Sequence, residues 1–166
     1  MFDTLAEPNV PAASTAETGG AFHPDAFFVK PWRGNGVICD AFGIARGRYQ
    51  QWGHSRIDED GGLILEQTST FESGLVNVFE WKILSSADGK IRARDLKTGK
   101  EARGERTTNG FLWRYKSMAL TPFGRRKCQF SVLYSQNGLH EASNSTTISF
   151  LGVTVKTASA HFHHVS

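Results

Sequence analysis

Residues 101–119 read EARGERTTNGFLWRYKSMA, and the pattern in them decides the fold. Asn109-Gly110 tolerates positive φ, which a two-residue hairpin turn demands. Beyond it Phe111, Trp113 and Tyr115 alternate with Leu112, Arg114 and Lys116. That period of two belongs to a strand with one apolar and one polar face. The stretch therefore predicts two strands, 101–107 and 111–119, joined by a tight turn.

The same punctuation recurs on both sides. Asp60-Gly61-Gly62, Ser73-Gly74, Asp88-Gly89, Thr98-Gly99, Asn137-Gly138 and Leu151-Gly152 mark further turns. Between them lie the β-rich runs 35–43, 45–57, 63–72, 75–84, 90–96, 127–136, 139–150 and 153–164. A meander this long closes on itself, because closure removes exposed edges. The expectation is an all-β fold, an antiparallel meander closed into a barrel of about 8–10 strands with room for side chains or one small ligand. Before it, Phe22-His23-Pro24-Asp25-Ala26-Phe27-Phe28 predicts a short helical turn. Pro24 suits its first position, and Phe27 and Phe28 are placed to plug one barrel end. Residues 1–21, rich in Ala, Thr, Pro and Gly, read as a flexible tail ahead of a barrel domain over 22–166.

Composition narrows the function classes. The chain has 166 residues, 39% hydrophobic and 21% charged, which fits one globular domain with a real core. Residues 1–26 carry Asp3, Glu7, Glu17 and Asp25 and no Lys or Arg, unlike a secretory leader. No apolar run approaches a membrane span. Cys39 and Cys128 read as two reduced thiols, so a cytoplasmic protein is expected. The net charge is +3, with basic residues spread over many strands, which argues against a nucleic-acid partner.

Candidate chemistry is sparse. The strand 139–150 is polar on both faces, Glu141, Ser143, Ser145 and Thr147 on one and His140, Ala142, Asn144 and Thr146 on the other. Whichever face points inward brings polar atoms that need partners. If Ser73-Gly74 is a two-residue loop, Glu72 pairs with Leu75, Glu66 sits opposite Trp81, Thr68 meets Phe79 and Thr70 meets Asn77. Arg46, Arg48, Gln50, Trp52, His54 and Arg56 share a face. Turned inward they would hold an anionic head group; turned outward, as Tyr49 and Ile57 on the opposite face suggest, they form a solvated stripe. Asp40 and Asp95 are isolated acids in β-forming runs, and an acid in an apolar barrel can act as a general base. His161 and His163 point the same way, but nothing places a third metal ligand beside them, and no metal or cofactor is expected. No nucleophile elbow, phosphate loop or dinucleotide motif is present.

Taken in order, several motifs resemble a known family. They are Phe22–Phe28; Gly36-Val37-Ile38-Cys39-Asp40-Ala41-Phe42-Gly43; Phe71-Glu72-Ser73-Gly74 with Trp81; Glu101-Ala102-Arg103-Gly104; Asn109-Gly110 with Phe111-Leu112-Trp113-Arg114-Tyr115; and Ser149-Phe150-Leu151-Gly152-Val153. Together they resemble the bacterial lipocalin-like family known as domain of unknown function 3833, over about Phe22 to His164. The resemblance implies a lipocalin-like, calycin-type barrel and weakly a lipid-like ligand, but no established activity. Many relatives look like secreted lipoproteins, and no leader or lipid-attachment cysteine is seen here. The family also tends to carry an acid and an arginine where this chain has Gln67 and Phe79, so its site is expected to be more apolar.

Three functions follow as expectations. The first is binding of a small hydrophobic molecule, fatty-acid-like or aromatic. Phe79, Trp81, Trp113, Tyr115 and Phe130 would wall its tail, and Glu66, Asp95, Arg48 or His54 would fix its head. The second is a cofactor-independent isomerase, cyclase or lyase with Asp95 or His54 moving a proton. The third is a structural or partner-binding barrel filled by its own side chains, monomeric or homodimeric.

Overall fold

The computed structural model describes residues 22–108 and 110–166; the expected tail and Asn109 of the first turn lie outside them. One helical turn, α1 (Pro24–Phe27), precedes ten strands. These are β1 (Trp32–Asp40), β2 (Ala45–Ile57), β3 (Leu63–Phe71), β4 (Val76–Ala87) and β5 (Lys90–Asp95), then β6 (Glu101–Thr107), β7 (Gly110–Thr121), β8 (Gly124–Gln136), β9 (Glu141–Phe150) and β10 (Val153–His164). Each strand pairs antiparallel with its chain neighbours, and β1 closes on β10. The meander is thus a closed ten-stranded barrel.

Several strand ends differ from expectation by a few residues, and two departures have clear local reasons. β1 ends at Asp40, three residues early, because its Oδ1 accepts the N–H groups of Phe42 and Ile44 at 2.9 and 3.0 Å. Gly43 then turns the chain at φ 80°. The β3–β4 loop has three residues, Glu72-Ser73-Gly74, closed by Phe71 N–H to Leu75 O at 2.9 Å, with Gly74 at φ 85°. The extra residue moves the register by one. Glu66 therefore faces Glu80, Leu65 faces Trp81, Thr68 faces Val78 and Thr70 faces Val76. A one-residue slip exchanges the two sides of a strand, so the expected Glu66–Trp81 pair does not form.

The ends of the barrel are unlike. At the end where β1 starts, α1 lies across the opening. Phe22, Phe27 and Phe28 are buried there, and Phe28 packs on Trp32 and Tyr134 with ring centroids 5.3 and 5.2 Å apart. His164 donates from Nε2 to Phe27 O at 2.9 Å and ties the helical turn to β10. The other end, ringed by the β1–β2, β3–β4, β5–β6, β7–β8 and β9–β10 turns, is here called the mouth.

Many of the 17 glycines mark turns, but four have another use. Rings lie flat on backbone at Gly34, Gly36, Gly53 and Gly104, where a Cβ would fall 2.2–2.6 Å from the ring of Phe162, Tyr49, Trp32 or Phe111. Inward rings occupy the space that inward side chains would have filled.

A candidate site in the barrel lumen

Alternation on β4, β7 and β8 turns Phe79, Trp81, Trp113, Tyr115 and Phe130 inward, where they form one continuous wall. Ring centroids run Trp113–Trp81 5.6 Å, Trp81–Phe79 5.3 Å, Phe79–Tyr115 5.8 Å and Tyr115–Phe130 5.0 Å. All five expected wall residues therefore touch in series. Tyr49 and Phe71, 5.5 Å apart, are further inward aromatics that the sequence reading did not single out.

Packing is uneven along the lumen. Near the plug, Trp32, Trp81, Phe111, Trp113 and Phe162 are buried. The cavity among Phe28, Trp32, Leu65, Trp81, Trp113 and Tyr134 holds only about 50 Å³, space for a water or two and far from the few hundred Å³ of a ligand pocket. Towards the mouth, Phe71, Phe79, Tyr115 and Phe130 face inward yet stay only half-buried. An inward ring that keeps accessible surface has free space beside it.

Polar groups line the lumen from the plug side, where Asn144 lies opposite Tyr134, towards Tyr49 beside Phe71. All three tyrosines of the chain, Tyr49, Tyr115 and Tyr134, are raised in pKa chiefly by burial, Tyr49 to about 12. Tyr115 also feels the other two phenols, and Tyr134 is hydrogen-bonded to Asn144. Gln51 Nε2 donates to Ser69 Oγ at 2.8 Å. Among the described residues Gln51 Oε1 and Asn144 Oδ1 are buried acceptors without a partner. The polar strand β9 thus turns its Ala142, Asn144 and Thr146 face inward, bringing the unpaired atoms that its composition implied. Chemically the lumen is an apolar interior with neutral donors and acceptors in its wall.

Other named residues lie elsewhere. Arg48 and His54 are on the outer face of β2, as alternation favoured. His54 Nε2 sits 2.9 Å from Glu66 Oε2, and Arg56 Nε 2.5 Å from Glu66 Oε1. Glu66, Arg48 and His54 are therefore not placed to hold a ligand head inside the barrel, nor His54 to move a proton there. Asp95 is wholly buried, but Oδ1 accepts Glu80 N–H at 2.9 Å and Oδ2 accepts Thr98 N–H at 3.1 Å and the Thr98 hydroxyl. It staples the β5–β6 loop to β4. Asp40 is held below the ordinary carboxylate range: burial works against the charge, but hydrogen bonds from Arg46, Ile44 and Phe42 outweigh it. On the outer face, register aligns Arg92, Arg103 and Arg114 in one cross-strand row, with Glu101 and Glu105 interleaved. His161 and His163 are exposed on the outside, and His140 meets His164 with Nδ1 atoms 3.3 Å apart. Among the described residues no three His, Cys, Asp or Glu side chains are grouped to hold a metal ion, and no helix is long and apolar enough to cross a membrane.

In shape the barrel is similar to the crystal structure of a protein of unknown function from the DUF3598 family of Nostoc punctiforme PCC 73102. The TM-score is 0.58 at 12% identity, over 85% of this chain and 48% of that one. The present chain thus spans about half of that protein, and the likeness is one of fold. No curated protein matches it in sequence. The model of the family described as "Protein of unknown function (DUF3833)" matches residues 6–164. With nearly the whole length covered, the chain belongs to the DUF3833 family.

Proposed function

We propose that the barrel binds a small, largely apolar molecule carrying one uncharged hydrogen-bond donor, in the lumen between the aromatic plug and the mouth. The supporting observation is the pair of buried acceptors unpartnered among the described residues, Gln51 Oε1 and Asn144 Oδ1, set in a wall of inward rings. A buried acceptor left unpaired costs about 1–3 kcal/mol, and a donor supplied by a ligand recovers it. The aromatic wall would bury the apolar body. A long-chain alcohol, a protonated fatty acid or an indole-sized aromatic meets both needs; an anion does not, because the lumen wall is built from neutral groups. We further place the protein in the cytoplasm, where Cys39 and Cys128, both free, would stay reduced.

The 50 Å³ cavity near the plug favours a second reading, a barrel filled by its own side chains with a structural role. Catalysis of an isomerase or lyase type has less support, since Asp95 is fully engaged by Glu80 and Thr98 and His54 is outside.

Binding is tested by tryptophan emission against a panel of alcohols, fatty acids and small aromatics, with native mass spectrometry of the purified protein. The expected result is saturable binding of a neutral amphiphile that Asn144→Leu weakens at least tenfold. Bare protein mass together with flat emission across the panel would establish the filled barrel instead.

A further inference from the structure

All five turns at the mouth carry or are flanked by an exposed apolar residue: Phe42, Leu75, Leu96, Phe123 and Leu151. Phe42 is 90% exposed and Leu151 87%. The plugged end is built differently. Two of its turns hold Asp58-Glu59-Asp60 and Asp88-Gly89, polar and acidic as turns ordinarily are, and an exposed apolar residue, Leu139, stands in its β8–β9 turn, against five at the mouth.

The mouth is also basic, although the plugged end has exposed bases of its own in Lys30, Arg33 and Lys90. Lys97, Arg125, Arg126 and Lys127 stand exposed beside the apolar tips, and none forms an ion pair among the described residues. The acids at the mouth are already engaged. Asp40 binds Arg46, Glu72 accepts the Arg48 N–H, and Asp95 is buried.

Leu151 adds an independent observation. The β9–β10 turn is Leu151-Gly152 at φ 49° and 80°, and the β4–β5 turn is Asp88-Gly89 at φ 54° and 72°. The two turns have the same left-handed form, which favours Asp or Asn and penalises a Leu. Leu151 thus gains nothing from its backbone or from burial, and strain of that kind is kept where it serves contact with something else.

We propose that the mouth docks on an anionic lipid bilayer. The apolar tips would enter the boundary between head groups and acyl chains while Lys97, Arg125, Arg126 and Lys127 meet lipid phosphates. Apolar insertion and basic attraction are the two signals that together hold a peripheral protein on a membrane. This docking stands whether or not the lumen takes a ligand.

Flotation with vesicles tests it, using phosphatidylcholine alone and phosphatidylcholine mixed with phosphatidylglycerol. The full chain is expected to float with the anionic vesicles at least tenfold more than with the neutral ones, and less as salt rises. Phe42→Ser with Leu151→Asn should lower binding at least tenfold with the melting temperature unchanged or raised, since Asn suits the left-handed turn. Replacing Lys97, Arg125, Arg126 and Lys127 by Ser should remove the preference for anionic lipid. Wild-type protein that ignores anionic vesicles, or the Phe42/Leu151 variant binding like wild type, would overturn the proposal. So would a wild-type dimer that ignores vesicles and that Leu151→Asn splits to monomers, which would make the mouth a self-association surface.

Discussion

The lumen makes a direct prediction for alkaline pH, because every tyrosine of the chain faces it. The perturbation is a rise in pH through the range where a free phenol ionises. Tyr49 moves from 10.0 to about 12 on folding, and Tyr115 and Tyr134 move in the same direction, in each case mainly through burial. A folded-state pKa above the unfolded one means that the native protein holds its proton where the unfolded chain has lost it. Stability from the tyrosines is therefore complete below about pH 10 and is lost as pH climbs towards the folded values. At about 1.4 kcal/mol per unit, Tyr49 alone contributes roughly 3 kcal/mol over its whole window, and about half of that has gone by about pH 11. If the other two tyrosines titrate no earlier, the loss by about pH 11 is on the order of 4 kcal/mol, a large part of the ~5–15 kcal/mol that holds an ordinary domain together. Phenolate absorbance and circular dichroism, followed together with pH, read both sides. No phenolate should form in the folded protein at about pH 10, and when it forms, the barrel signal should collapse with it. Phenolate that develops around pH 10 while the β signal stays intact would mean that the tyrosines are hydrated. The lumen as described would then be wrong.

Two further expectations separate structure from chemistry. Asp95→Ala should destabilise by roughly 3 kcal/mol, because it strands the Glu80 and Thr98 amides beneath a closed loop, and Asp95→Asn should recover part of this; a denaturation midpoint equal to wild type would remove the staple. Gly36→Ala puts a Cβ 2.2 Å from Tyr49 Cζ, so it should cost at least ~1–3 kcal/mol and let Tyr49 titrate at lower pH; an unchanged melting curve and phenolate titration would show that the ring does not lie on that strand.

The barrel was legible in the sequence because its signals are local. Turn pairs recur, and alternation between them identifies an inner face, which is why Phe79, Trp81, Trp113, Tyr115 and Phe130 could be named and found to touch. The polar inner face of β9 was legible for the same reason. What alternation does not carry is loop length. Ser73-Gly74 marks a turn, but only the Phe71–Leu75 hydrogen bond shows that the loop has three residues, and that one residue takes Glu66 away from Trp81. Asp95 illustrates a second limit. Its type suggests a general base, whereas its role depends on the local Thr98 and on the Glu80 amide, which approaches it only after β4 and β5 pair. Gly34, Gly36, Gly53 and Gly104 illustrate a third: a glycine in a strand looks like a weak spot until the ring that lies on it is known.

The asymmetry of the two ends constrains how a ligand could exchange. Phe22, Phe27, Phe28 and Trp32 fill one end with ring-to-ring packing, and moving any of them exposes apolar surface and a wall of tryptophans. Towards the mouth the packing is thinner: a small cluster of Cys128, Ile148 and Val155 is buried with Phe130 against it, while Phe71, Phe79 and Tyr115 keep accessible surface. The low-energy route therefore runs through the end that carries the apolar, basic rim. A molecule apolar enough to prefer that lumen is also sparingly soluble in water and concentrates in bilayers, so a mouth that presses on a membrane would shorten its path. The dependence runs one way. Docking could serve anchoring with no ligand at all, but ligand exchange that is no faster from anionic vesicles than from dispersed amphiphile would leave the rim without a part in it.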